Sequence, residues 1–434
     1  MNALSIACHL ARDPLAGLTE LSARGAVVPI GLRPWQAFVV CDPELTRRVL
    51  VDDRTYDKGG ALAARARMVA GNGLVTCSHA DHRGQRRQLN PAFSRELVSG
   101  YADVVAEQVA AVTRTWRHGE TVDAVAVMHT LTARITCATM FATELPADQL
   151  AQITRDLDVF MSGTYRRILV PRLLDSLPTP GQRRYHRAMA RLRALGTGSV
   201  LAADRSTIHA VLTEVRDENG VALSPTELSD QVVTLFIAAV DTTAVALAWA
   251  IHLLASHPDI AERVGRESDT VLADHAATAA DLPALELTRR VVVETLRLYP
   301  PLWFLTRVAT TDTELGGHRI RAGSTVVCSP YLIHHRGDLH AAPERFDPDR
   351  HLAQPPRDAL VPFGAGARRC IGDQLATAEA TLALATLARR WRFEQVTEEQ
   401  VRIAPRFVLA PRRLRVRLVA RRPQTVSSET SYVA

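Results

Sequence analysis

The chain has 434 residues, 47% of them hydrophobic, and a formal net charge of +6 carried far more by arginine than by lysine. That composition can bury a large core, and with no linker, repeat or low-complexity tract between Leu18 and Arg421 it reads as one large domain. Six cysteines (Cys8, Cys41, Cys77, Cys137, Cys328 and Cys370) form no CxxC pair, which argues against a zinc site or a disulfide framework and for a reducing cytosol.

The first stretch, MNALSIACHLARDPLAGL, has no apolar run long enough to span a bilayer and no signal-peptide pattern, so the expectation is a cytoplasmic protein without a membrane partner. Short β-like runs follow in AVVPIGL and QAFVV, split by Arg33-Pro34-Trp35. From about Pro43 to Tyr299, alanine and leucine recur at helical spacing and predict helix after helix. Within that region GQRRYHRAMARLRAL sets arginines on one face and Tyr185, Met189, Leu192 and Leu195 on the other. This predicts a solvated helix face; no nucleic-acid motif accompanies it, and no nucleic-acid partner is expected. β-like runs return in STVVCSP and LRVRLVA, giving a chain that is mostly α with a small β part. The last residues, 421–434, are polar and unpatterned and predict a disordered tail after a domain spanning 1–420.

The best-defined helix starts at Ser224-Pro225-Thr226-Glu227. Serine caps, proline suits the first position and glutamate completes a capping box. It runs to about Ser256, roughly 50 Å at 1.5 Å per residue. Its centre, VVTLFIAAVDTTAVALAWA, is apolar nearly all round. A membrane span is the rival reading, but an aspartate and two threonines at the midpoint make insertion costly, so a core helix is expected. Asp241-Thr242-Thr243 is then a buried polar cluster. It is either a satisfied kink, with threonine bonding back to the preceding turn, or a site of chemistry.

The most unusual stretch is FGAGARRCIG, Phe363 to Gly372. Glycines at 364, 366 and 372 allow left-handed dihedrals and a tight loop around Cys370. A helical pattern follows, so the dipole and Arg368 and Arg369 favour a thiolate. A thiolate facing a glycine-rich wall suits a large flat partner such as haem iron. The stretch resembles the haem-binding signature of the cytochromes P450, the haem-thiolate monooxygenases, with Phe363, Gly366, Arg368, Cys370 and Gly372 filling every fixed place.

Further elements follow that family's order. ETLR supplies Glu294 and Arg297, and PERF supplies Arg345; the resemblance implies that these three form a structural network. AAVDTT resembles the oxygen-activation motif, with Asp241 and Thr242 as the catalytic acid–alcohol pair and Ala239 where the family usually has glycine. HRGQR gives His82 and Arg86, which with Arg307 and Arg368 are expected to clamp the propionates. HHRGDLH could suggest a metal site, but loop histidines there are common in the family. The resemblance implies a cytochrome P450 fold with a single large haem domain, haem b (iron protoporphyrin IX) as cofactor and Cys370 as its iron ligand. It implies oxidation of a hydrophobic small molecule with O2 and two electrons from a separate ferredoxin or flavodoxin and its reductase. Family placement expects a substrate pocket from Ala61–Leu74, Phe160–Leu177, Phe236, Ala239, Val240, Trp303, Phe304 and Phe407. YDKGG and GNGLVTC are similar to bacterial terpene-oxidising members, which implies a terpenoid in secondary metabolism such as antibiotic biosynthesis. The alternatives are a peroxygenase, isomerase or dehydratase on the same fold, or a non-catalytic haem-binding protein. The acid–alcohol pair argues against the peroxygenase.

Overall fold

The computed structural model describes residues 13–31, 37–141, 145–169, 179–195, 207–353, 358–396, 401–404 and 406–421. Residues 422–434 of the expected tail, the Arg33-Pro34-Trp35 break and residues 170–177 of the expected pocket lie outside them.

The chain begins with α1 (Pro14–Ser22), β1 (Val27–Ile30), β2 (Ala37–Val40), α2 (Pro43–Val51) and β3 (Tyr56–Asp57). The helical body follows: α3 (Gly60–Ala70), α4 (His79–Leu89), α5 (Arg95–Thr113), strand β4 (Thr121–Asp123), α6 (Ala124–Phe141), α7 (Ala147–Leu169), α8 (Pro180–Ala194), α9 (Ile208–Glu214), α10 (Pro225–Ser256), α11 (Pro258–Leu272) and α12 (Glu286–Leu298). Strands β5 (Leu305–Ala309), β6 (Thr313–Leu315), β7 (His318–Ile320) and β8 (Thr325–Cys328) lead to α13 (Pro330–His334) and α14 (Asp373–Arg390). The chain closes with β9 (Trp391–Gln395), β10 (Ile403–Ala404), β11 (Ala410–Pro411) and β12 (Arg415–Ala420). The helix starts are written in the sequence. Asp42, Ser78, Ser94, Thr179, Thr207 and Ser224 each accept a hydrogen bond from a first-turn amide.

The main sheet has strand order β1-β2-β8-β5-β3, with β2 and β8 parallel and the other pairs antiparallel. β4, β12 and β9 form a second, three-stranded sheet. β3 and β4 interrupt what the sequence predicts as unbroken helix. Each is two or three residues long and exists through pairing with a distant strand, Tyr56 with Ala309 and Val122 with Val416, so local pattern gives no sign of them.

α10 begins with the capping box expected for it. Ser224 accepts from the Glu227 amide, and the Glu227 carboxylate accepts from the Ser224 amide at 2.9 Å. Its C-terminal half enters a core built with α5, α6, α11, α12 and α14, where Ala244, Leu247 and Ile251 are almost fully buried. Trp249 stacks on Tyr299 at 3.9 Å and donates its indole N–H to the Leu409 carbonyl. α6 and α10 are both long and apolar enough to cross a membrane, but 61% and 83% of their apolar windows are buried inside the protein. They are core helices.

Candidate functional site

The Cys370 loop is fixed by backbone. The Cys370 amide donates to the Phe363 carbonyl at 2.9 Å, and a single 3-10 turn, Gly366–Arg368, fills the loop between them. Gly364 and Gly366 both have φ of +70°. A Cβ on Gly366 would also stand 2.7 Å from the Leu50 carbonyl oxygen, at the end of α2, so this position admits glycine alone. Gly372 behaves otherwise. Its φ is −95° at the N-cap of α14, and a Cβ there would make only an ordinary contact with Phe93.

Cys370 is accessible, yet enough protein surrounds it that desolvation raises its thiol pKa. The Gly372 amide, Arg86 and Arg369 pull it down without overcoming burial, and Asp373 adds to the rise. The helix terminus and the arginines are in place, and desolvation opposes them. Cys370 is thus exposed on one side and enclosed by protein on the others.

The acid–alcohol stretch lies on α10. Between residues 231 and 251 of this helix, the residues not fully buried are Ala238, Ala239 and Thr242. At 100° per residue they share one arc of about 100°. Ala239 lies on that arc. Phe236 and Val240 do not, since the same helical period turns them to the opposite side. Phe236 is fully buried and stacks on Phe141 of α6, and the Val240 carbonyl accepts from Thr132 of α6 at 3.0 Å. Trp303 is likewise corrected. It is 6% exposed in a cluster with Leu18, Leu21 and Leu332, and its indole N–H is spent on the Arg406 carbonyl. Phe304 and Phe407 are half-buried, edge to face with centroids 6.1 Å apart.

Asp241 and Thr242 are neighbours in sequence but part in space. Thr242 donates to the Ala238 carbonyl at 2.7 Å, the back-bond of a satisfied helix, yet the residue is only half-buried. Its oxygen can still accept. Asp241 points toward α6, where Oδ1 lies 2.9 Å from Nε2 of His129, and its Oδ2 has no partner.

The four expected clamp residues divide into two sets. Arg307 and Arg368 come together with His82 and with Lys58, which the sequence analysis passed over. Arg368 donates to Asp57 at 2.7 Å and to the Cys77 carbonyl at 2.9 Å. Arg307 is 3% exposed, and its one hydrogen bond goes to the adjacent Thr306 carbonyl. The Nε of each guanidinium lacks a hydrogen-bond partner. Burial lowers Arg307, and Lys58 is held well below the usual lysine range, first by desolvation and then by Arg307 and Arg368. Burial, then Arg368, pushes His82 down to about 4. Arg86 instead ties α4 to the loop, donating to the Arg369 carbonyl and to Asn90. Two buried guanidinium groups whose Nε–H donors have no hydrogen-bond partner among the described residues, beside Lys58 and a neutral His82, fit the dianionic edge of a ligand. The residues present therefore fit a haem.

The expected network is real but differently composed. Glu294 and Arg297 are fully buried and paired through two bonds of 2.9 Å. Arg350 donates to Glu294 at 2.9 Å, His351 reaches it at 2.8 Å and the Asp347 amide at 3.1 Å. Arg345 supplies only its carbonyl, to Arg297 and Arg350, while its side chain is exposed. Arg350 holds the place assigned to Arg345 because the second Pro-x-Arg, in PDRH, sits on the 3-10 turn facing α12. Burial opposes ionisation of Glu294, but His351 and Arg297 overcome it and hold the carboxyl at about 2. His334 links this network to the loop approach. It donates Nδ1–H to the Arg297 carbonyl and accepts at Nε2 from the Val361 amide.

Comparison with known proteins adds an independent line. The family model described as Cytochrome P450 matches residues 8–418. Over 427 residues the chain is 39% identical to the pentalenene oxygenase of Streptomyces avermitilis, covering 96% of this chain and 95% of that protein. Two proteins of Streptomyces melanosporofaciens are similar. Cyclooctat-9-en-7-ol 5-monooxygenase is 40% identical over 396 residues (89% of this chain, 86% of that protein), and cyclooctatin synthase is 39% identical over 419 residues (94% and 91%).

Proposed function

This chain belongs to the cytochrome P450 family and is a haem-thiolate monooxygenase, and on that premise we propose that it oxidises a neutral cyclic terpenoid in secondary metabolism. The observation that carries the substrate class is near-full-length identity of about two residues in five to three oxygenases whose names specify pentalenene, cyclooctat-9-en-7-ol or cyclooctatin. The lining agrees with it. Ala238, Ala239, Phe304 and Phe407 offer no charge, and Ala239 brings a methyl where the family usually has none.

The cofactor is proposed to be haem b. Cys370 would supply the iron ligand, with Arg307, Arg368, Lys58 and His82 at the propionates and Arg86 bracing the loop. When bound, the haem supplies O2 activation and the oxidising equivalent. The protein's own residues do the rest. Ala239, Phe304 and Phe407 hold an apolar molecule and exclude water, and Thr242 and Asp241 hold and pass protons on the distal side. Family members take electrons from redox partners. For this chain a ferredoxin or flavodoxin is proposed, docking beside Cys370, where Arg369 is exposed and Arg86 half-exposed. A cytoplasmic location accords with the burial of its two most apolar helices.

A spin-state titration tests the substrate class. Pentalenene and other cyclic terpene hydrocarbons or alcohols should drive the low- to high-spin Soret shift. A shift given only by carboxylates or macrolides would overturn this reading and leave the family standing.

A further inference from the structure

The contact between α6 and α10 contains a buried acid–base pair that the acid–alcohol motif does not account for. His129 donates or accepts at both ring nitrogens: Nδ1 lies 2.8 Å from the Val125 carbonyl and Nε2 2.9 Å from Asp241 Oδ1. A carbonyl only accepts, so Nδ1 must carry a hydrogen. If the ring is neutral, Nε2 presents a lone pair, and the short contact needs a hydrogen on Asp241. If Asp241 is ionised, Nε2 must be N–H and the ring an imidazolium. A neutral ring against an ionised carboxylate would oppose two lone pairs at 2.9 Å. One mobile proton therefore sits between Nε2 and Oδ1 in either case.

The pair is also placed as a conduit. The His129 side chain is 13% exposed and that of Asp241 5%, so the imidazole is the more accessible member of the pair. The other Asp241 oxygen, Oδ2, is buried and without a partner. Thr242, the next residue, is half-buried, with its hydrogen on Ala238 and its oxygen free to accept. Burial alone would lower the imidazole pKa, but the hydrogen bond and charge of Asp241 and the Val125 carbonyl outweigh it and raise it above the usual value. The other charge facing the ring is Arg406, which opposes protonation and is itself paired with Asp158 of α7.

We propose that His129 and Asp241 share one proton and that this pair feeds the distal proton relay, His129 acting through Asp241. This rests on the monooxygenase reading above. In the step, the Nε2–H bond of His129 breaks as an O–H bond forms on Asp241 Oδ1. Asp241 then gives up one proton toward Thr242 and returns to carboxylate. The ring, neutral with Nδ1–H still on Val125, takes one proton from solvent. No electron moves, and charge and protons balance over the cycle.

The first test needs no substrate. In the haem-loaded full chain, reduced and bound to carbon monoxide, 15N spectra of His129 should show both ring nitrogens protonated at pH 7. The alternative supporting result is Nδ1 protonated alone, with a protonated-carboxyl infrared band that Asp241→Asn removes. A singly protonated ring facing an ionised Asp241 overturns the proposal. The second test uses His129→Gln, which keeps a side-chain N–H for Asp241 but carries no titratable proton. Turnover is followed with a plant-type ferredoxin, its reductase and pentalenene as the probe hydrocarbon, with peroxide counted per NADH. Peroxide should rise several-fold in this variant while the thiolate-type carbon monoxide band stays in place. The parent's coupling should fall as pH rises through the raised His129 pKa, and that limb should vanish in the variant. Asp241→Asn should uncouple as well, and the double variant should be no worse than Asp241→Asn alone. If Asp241→Asn uncouples and His129→Gln does not, or if the two losses add, the proposal fails while the acid's role stands. If Asp241→Asn leaves coupling intact, the relay reading itself is wrong.

Discussion

The Glu294 network and the Lys58–Arg307–Arg368 cluster are both buried and both charged, but they are finished to different degrees. Around Glu294 each carboxylate oxygen is taken, by Arg297, Arg350, His351 and the Asp347 amide. Around Arg307 the charges are only partly answered. Asp57 and Asp53 face the cations, yet two guanidinium nitrogens find no acceptor and Lys58 is driven far down. A complete buried network specifies the fold, because each charge is repaid inside the protein. An incomplete one is tolerable only where something else completes it. The first cluster is complete within the protein, and the second leaves donors for the anion proposed to bind there.

The sharpest way to break this comparison is to remove the central acid. Glu294→Gln leaves Arg297 and Arg350 buried without a counter-charge, and should cost about 3–5 kcal/mol in chemical denaturation, enough to empty the folded state at physiological temperature. The pH dependence has a definite sign. The Glu294 pKa is depressed to about 2, so its stabilisation is fully present above the ordinary glutamate value and is lost as pH falls through about 2. A parent protein whose stability were flat between pH 4.5 and 2.5 would contradict the assignment.

Glu379 on α14 is the control for burial without partners. It is 7% exposed, its Oε1 lacks a hydrogen bond, and burial alone pushes it up to about 8. Here the sign reverses. The folded state keeps its proton between the unfolded value and pH 8, so this residue costs stability as pH rises across that window, by at most about 1.4 kcal/mol per pH unit. Glu379→Gln should therefore raise Tm, with a gain that grows from pH 5 to 8 and is flat above. A loss of stability at pH 8 would mean that Glu379 has a partner after all.

The cation cluster predicts a binding effect rather than a folding one. Lys58→Met should leave the haem-free protein no less stable, since it removes a charge that is buried at a cost. The loaded protein should release haem to apomyoglobin about tenfold faster or more, as expected for one lost charge-assisted contact of about 1.5–3 kcal/mol. Lys58→Arg should not restore the slow rate, because a planar fork does not fit a seat already lined by two guanidinium groups. Equal release from parent and Lys58→Met would take Lys58 out of the site.

What could be read in the sequence follows the range of the physics involved. The Cys370 loop and the α10 cap are local: a positive φ, a close backbone approach and a capping box all act within a few residues, so the letters carry them. The face of α10 was also within reach, since a 3.6-residue period separates Ala238, Ala239 and Thr242 from Phe236 and Val240 once Thr242 is taken to face the site. Trp303 was not, because its burial depends on α1 and on the Arg406 carbonyl. His129 is 112 residues from the acid it meets, and nothing in its own helix marks it. Lys58 did leave a trace. It is the only lysine in a chain whose other basic side chains, histidine apart, are all arginine. A position that keeps lysine under such a bias asks for a compact cation.

The smallest expected effect concerns the arginine that the sequence favoured. PERF and PDRH each offer a Pro-x-Arg within eight residues, and the family resemblance pointed to the first. In the structure Phe346 of PERF is buried, with its ring 4.9 Å from His257, which turns the preceding Arg345 side chain outward and leaves its carbonyl to Arg297 and Arg350. Truncating an exposed side chain whose only contribution is backbone changes little, so Arg345→Ala should shift stability by less than about 0.5 kcal/mol and leave the carbon monoxide spectrum unaltered. Arg350→Ala removes a 2.9 Å donor from a buried carboxylate and should destabilise by several times that amount. The two variants, compared in one denaturant series, decide which arginine belongs to Glu294. Equal losses, or a larger loss at Arg345, would return the network to the composition read from the sequence.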